Sequence, residues 1–153
     1  MYREMILKLS QGNKWVQIQP PCPEEEIEAA EDVVGHPFPR ELKGLLREFN
    51  GDSWCLLSAK QIIENVERNR AILLPLFRED FSKEEYLDRI DRFLFFATNG
   101  CGDYYGYRAG QDGLVHTSVI YLWEHENIGE LCCWRPVASG LTNFITRYYN
   151  GEI

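Results

Sequence analysis

The hydrophobic period of this chain changes twice. Up to about residue 90 apolar residues recur every three or four positions, as in Leu42, Leu45, Leu46 and Phe49. From residue 92 they fall instead into short aromatic runs separated by glycine-bearing turns, and after residue 139 the three-to-four spacing returns. Side chains share a helix face every 3.6 residues and a strand face every two, so the two spacings are incompatible within one element. Connections this short between consecutive strands leave no room for a crossover, so neighbouring strands must run antiparallel. The order therefore predicts an α+β fold: N-terminal helices, a central mainly antiparallel sheet and a C-terminal helix.

Local signals place the elements. Residues 13–19 alternate in part and predict a strand that Pro20 and Pro21 end. Residues 23–34 predict a helix: Pro23 suits the first turn, Glu24, Glu25 and Glu26 complement the positive end of the helix dipole, and Ile27, Ala30 and Val34 form one stripe. Gly35 and Pro37 stop it. A second helix starts at Pro39 and carries the Leu42 to Phe49 stripe, with Asn50-Gly51 expected to supply its left-handed terminal residue. A short strand over residues 54–57 follows. Ser58-x-x-Gln61 is a capping box for a third helix through Arg68, and Ser82-x-x-Glu85 another for a short helix through Ile90. Strands are expected over residues 92–98, 103–108, 118–123 and 130–134, with turns at 99–102 and 111–113. Ser139 is placed to cap the last helix, which carries Leu141, Phe144, Ile145, Tyr148 and Tyr149 and closes at Asn150-Gly151.

No repeat, low-complexity tract or flexible linker interrupts the 153 residues, so a single domain over 1–153 is expected. A chain of this size buries roughly 70% of its unfolded surface, enough for a core without metals or disulfides. The formal charge of −8 argues against direct nucleic-acid binding, which rests on Lys and Arg displacing counterions from phosphate. An acidic surface instead favours capture of a basic partner. The first eight residues lack the apolar stretch of a signal peptide, and the longest apolar run, residues 71–77, is too short to cross a bilayer and contains Pro75. Five cysteines, with Cys132 and Cys133 adjacent, make a poor disulfide framework and fit the reducing cytoplasm.

Catalytic chemistry finds little support. There is no G-x-S-x-G elbow. Cys101 stands between two glycines, within conceivable reach of His116 or His125, but no local run of cations depresses its thiol pKa. A zinc site built from Cys101, His116, His125 and one of Cys132 or Cys133 lacks the close-paired spacing zinc ligands show. Gly100-x-Gly102 with Gly106 precedes a strand where a dinucleotide loop would open a helix. The expectation is no enzyme, no catalytic or metal residues and no cofactor.

Three ordered segments resemble the SUKH superfamily, named partly for the fungal Smi and Knr cell-wall regulators. The first runs from Glu25-x-Ile27-x-x-Ala30-Glu31 into Phe38-Pro39-x-Glu41-Leu42-x-x-Leu45-Leu46-x-x-Phe49-Asn50-Gly51, where Phe38 replaces the family's commoner Leu. The second is Phe95-Phe96-Ala97-x-Asn99-Gly100-x-Gly102-Asp103-Tyr104-Tyr105-Gly106-Tyr107. The third is Ile120-Tyr121-x-Trp123-x-His125-Glu126, then Val137-Ala138 and Leu141-x-x-Phe144. Together they span about residues 23–150. The resemblance implies an α+β fold and, for bacterial members, an immunity role: binding and blocking a cognate polymorphic toxin through its C-terminal toxic domain, often a nuclease or deaminase. The runner-up is a regulatory or scaffolding module with a cellular protein partner, as in the fungal relatives. Monomer and homodimer both fit. The candidate contact residues are Asp103, Tyr104, Tyr105, Tyr107, Trp123, Glu124 and Glu126, aromatic anchors interleaved with acids around a turn. On a strand Tyr105 and Tyr107 share one face and Tyr104 takes the other, so at least one of those faces is expected in the core.

Overall fold

The computed structural model describes residues 1–75, 90, 92–127 and 134–153. Five α-helices and four strands are placed there: α1 (Tyr2–Leu9), α2 (Glu24–Val34), α3 (Arg40–Glu48), α4 (Ala59–Arg68), β1 (Phe93–Thr98), β2 (Tyr104–Arg108), β3 (Ile120–Trp123), β4 (Trp134–Ala138) and α5 (Leu141–Tyr149). A π-helical turn, Asn69–Leu73, extends α4, and a 3-10 turn, His125–Asn127, follows β3. The sheet runs β1-β2-β3-β4 with every neighbouring pair antiparallel. This is the α+β order that the change of period predicts.

The helices form where local signals are strong. Pro23 caps α2, and Gly35 closes it in the left-handed conformation at φ 96°. Both halves of the α4 capping box are made: Gln61 N–H donates to Ser58 Oγ at 3.2 Å, and Ser58 N–H to Gln61 Oε1 at 2.9 Å. Three expectations are corrected. The α3 helix ends at Phe49 in an extended conformation (φ −165°); Gly51 does take the left-handed conformation (φ 84°), but beyond the helix end, where it does not close the helix. Tertiary bonds take over its end: Cys22 N–H donates to Leu46 O and Asn50 N–H to Pro20 O. Ser139 does not cap α5; Gly140 is the N-cap and makes no side-chain bond. Glu41 of α3 does this from a distance, its Oε2 accepting Leu141 N–H at 3.3 Å. Residues 13–19 join no sheet, though Gln17 and Gln19 donate their N–H groups to Asp52 O and Gly51 O.

Two elements went unforeseen. The α1 helix has only eight residues and no side-chain cap, so packing of Tyr2 and Ile6 into the core stabilises it more than propensity does. Strand β4 begins where the expected strand over 130–134 ends; residues 130–133 lie outside the described residues, as does all of the helix expected from Ser82 through Ile90 except Ile90 itself. Pro136 hides β4 from sequence reading, yet proline is tolerated on an outer strand, and β4 is the outermost of the described strands on its side. Arg147 Nη1 further occupies the carbonyl of Val137. At the other side, β1 is partly covered by the short segment around Leu56, which bridges Ala97.

The main core lies between the helices and one sheet face, built from residues such as Ile27, Leu45, Leu46, Phe49, Phe96, Tyr107 and Phe144. A smaller cluster of Ile90, Phe93, Phe95 and Trp123 covers the opposite face, with Leu73 and Leu74 packed on it. Each such aromatic or aliphatic side chain contributes about 1.5–3 kcal/mol on burial. A bulge between Phe95 and Ala97 turns Phe96 and Ala97 both into the main core. It also brings β1 backbone against Gly106, where a Cβ would stand 2.4 Å from Leu94 O.

Candidate protein-binding site

The turn between β1 and β2 is built by its own side chains. Asn99 Oδ1 accepts the N–H groups of Cys101 (2.9 Å) and Asp103 (3.3 Å). Thr98 Oγ1 accepts Gly100 N–H at 3.1 Å and donates to Asp103 O at 2.9 Å. Gly100 and Gly102 take positive φ. At Gly102 a side chain is excluded on a second ground as well, since a Cβ would lie 2.9 Å from His125 Nδ1.

Asp103 ties this turn to the 3-10 turn after β3. Its Oδ1 accepts both the backbone N–H of His125 (3.0 Å) and the ring N–H at Nδ1 (2.7 Å), and its Oδ2 accepts Asn99 Nδ2 at 3.0 Å. Partial burial pushes the Asp103 carboxyl up, but the donors from His125 and Asn99 outweigh it and hold the acid below its ordinary value. The carboxylate is therefore ionised at neutral pH and fixed in place.

The structure divides the seven expected contact residues. Tyr105, Tyr107 and Trp123 are buried and belong to the core. Tyr105 packs on Phe144 and Tyr148, and Tyr107 donates its hydroxyl to Glu41 Oε1 at 2.8 Å. Trp123 packs on Phe95 on the opposite face. Both sheet faces are covered here, so alternation alone could not leave one aromatic face free. Asp103, Tyr104 and Glu124 are half-buried and Glu126 is exposed, all at the turn end of the sheet. Tyr104 is itself held, its hydroxyl accepting Arg68 Nη2 at 2.5 Å while its ring tilts against Phe95.

Three further residues, not singled out as contact candidates from the sequence, organise the two ends of the sheet. Asp52 is fully buried; its Oδ1 accepts the N–H groups of Trp54, Cys55 and Leu56 at 3.0, 2.9 and 2.8 Å, and its Oδ2 accepts the Tyr149 hydroxyl. Burial first, and then this carboxylate, push the Tyr149 phenol well above its ordinary value. Glu41 plays the matching part on the other side, receiving Tyr107 and Leu141. Trp54 is 37% exposed, and its ring meets Tyr148 and Tyr149 edge-on at 5.3 Å each. The one available signal was Asp52 directly after Asn50-Gly51, a turn position where a carboxylate collects backbone N–H groups.

Of the three catalytic candidates, both histidines are bonded to carboxylates, and Cys101 is an exposed free thiol whose backbone N–H donates to Asn99 Oδ1. His125 Nδ1 is bonded to Asp103 and His116 Nε2 to Asp112. Burial, together with Glu26, pushes the Cys22 thiol up to about 12, and burial pushes Cys55 well above its ordinary value. Among the described residues no group of three His, Cys, Asp or Glu side chains could hold a metal ion, and no helix is long and apolar enough to cross a membrane.

No curated protein matches the chain. A family model does, over residues 21–147, nearly the span of the three sequence segments. The chain therefore belongs to the SMI1/KNR4 family (SUKH-1), a family known for immunity proteins.

Proposed function

We propose that this chain is an immunity protein, which binds the toxic domain of a cognate polymorphic toxin acting on nucleic acid and blocks it by occlusion. The observation that carries the reading is the acidic rim at the turn end of the sheet. Asp103 is held ionised there by His125 and Asn99, with Glu124 and Glu126 on the adjoining turn. A site that handles phosphate is cationic, and a fixed carboxylate facing it needs little reorganisation to bind. Such charges raise association rate and selectivity more than they raise affinity alone. Family membership supports the same reading, and occlusion requires no catalytic residue. The protein would meet its toxin in the cytoplasm, which agrees with its cysteine usage.

The test is co-purification of the chain with the toxic domain encoded by an adjoining gene, followed by titration calorimetry. A one-to-one complex that abolishes toxin activity supports the proposal. Absence of binding at micromolar concentrations sinks it. A genome with no toxin gene nearby, and capture of a cellular regulator instead, would favour the scaffolding module.

A further inference from the structure

The acidic rim supplies charge, but tight interfaces also need a desolvated apolar anchor, most often Trp, Tyr or Arg. Of the six large hydrophobic side chains exposed among the described residues, two are tryptophans, Trp15 (66% exposed) and Trp54 (37%). They lie on adjoining segments. Gln17 N–H donates to Asp52 O at 2.8 Å and Gln19 N–H to Gly51 O at 3.0 Å, and Trp15 stands in the turn that precedes this paired stretch, with Lys14 Nζ 5.0 Å from its ring centroid.

Trp54 is held unusually firmly for an exposed side chain. Its backbone N–H is bound by the buried Asp52, and its ring is braced by Tyr148 and Tyr149. The preceding residue, Ser53, sits at φ 60°, a conformation that non-glycine residues rarely adopt and that the surrounding bonds must enforce. An aromatic side chain immobilised before binding loses little entropy on binding.

The same framework joins Trp54 to the acidic rim. Thr98 N–H donates to Cys55 O at 2.9 Å, Leu56 bridges Ala97, and Thr98 then anchors the turn that carries Asp103. We infer that Trp54, with Trp15 on the adjoining segment, is the apolar anchor of one continuous protein-binding surface whose other half is the Asp103, Glu124 and Glu126 rim. The inference rests on the immunity reading. The occupant it fits is a protein domain that presents an apolar pocket bordered by Lys and Arg side chains, complementary in charge to the rim.

The probe is the purified toxic domain from the adjoining gene, used with the full chain and the variants Trp54→Ala, Trp15→Ala and Glu25→Gln on the remote α2 face. Trp54→Ala should weaken binding by about 30-fold or more, the loss expected at a hot spot, and Trp15→Ala by about tenfold, with Glu25→Gln unchanged. Because Trp54→Ala also removes ring contacts, circular dichroism must show it folded. Independently, oxidative footprinting by mass spectrometry should show Trp54 and Trp15 protected in the complex, against buried Trp123 as internal reference. If the wild type binds while both tryptophan variants bind within twofold of it and neither ring is protected, the anchor is overturned and the immunity reading stands. If the wild type does not bind the toxic domain, both fall together.

Discussion

Replacing Asp52 with alanine removes one carboxylate and strands four donors. The N–H groups of Trp54, Cys55 and Leu56 lose a common acceptor, and the Tyr149 hydroxyl loses its partner. A buried donor left unsatisfied costs about 1–3 kcal/mol, and a bond to a charged group contributes about 1.5–3 kcal/mol. The four costs do not add in full, because the partly exposed Trp54 N–H can return to water while those of Cys55 and Leu56 remain buried. A net loss of about 3–5 kcal/mol follows, in the range of a broken buried network. For a domain of this size that lowers the melting temperature by roughly 6–20 °C. Urea unfolding followed by circular dichroism and by tryptophan fluorescence measures it. Tyr149→Phe should cost about 1 kcal/mol, and the double variant should cost less than the sum, since the pair shares one bond. A loss below about 1 kcal/mol for Asp52→Ala, or strict additivity, would refute the view that this carboxylate holds the loop.

Other consequences can be checked separately. Gly106→Ala places a methyl group 2.4 Å from Leu94 O, so it should destabilise by about 3 kcal/mol or more, or yield insoluble protein on expression. Glu41→Ala leaves the buried Tyr107 hydroxyl and the first N–H of α5 without their acceptor and should cost about 2–3 kcal/mol, whereas Tyr107→Phe should cost about 1 kcal/mol; denaturation midpoints decide the order. Asp103 has its folded pKa lowered, so the stability it contributes is present above the unfolded value of about 3.9 and is lost as pH falls through the folded value. Unfolding midpoints between about pH 2 and 5 should therefore fall less steeply with acid for Asp103→Asn than for the wild type.

The helices that could be read from sequence were those whose signals are local. The Pro23 start, the Gly35 stop and the Ser58–Gln61 box each act within one turn of backbone, so no knowledge of the fold is needed to see them. What escaped was set at long range. The cap on α5 comes from Glu41, 100 residues away in sequence, while Ser139 nearby makes none. The strand β4 contains Pro136, and only its outer position in the sheet makes that proline acceptable. The contact residues show the same limit. Alternation assigns Tyr104 and Tyr105 to opposite faces, as found, but it cannot reveal that both faces are covered, which removes Tyr105, Tyr107 and Trp123 from the surface. Trp54 is the converse case: a residue in an irregular segment, left exposed because its backbone follows the bonds of a buried carboxylate.

The most direct test of the account is a titration of the toxic domain's activity with this chain, repeated with Glu124→Lys/Glu126→Lys across a range of salt. The account predicts a sharp end point at one equivalent for the wild type, and for the double variant slower association whose difference from wild type shrinks as salt screens the rim. Toxin activity unaffected by excess wild-type protein, or charge-reversed protein associating as fast as wild type at low salt, would contradict it.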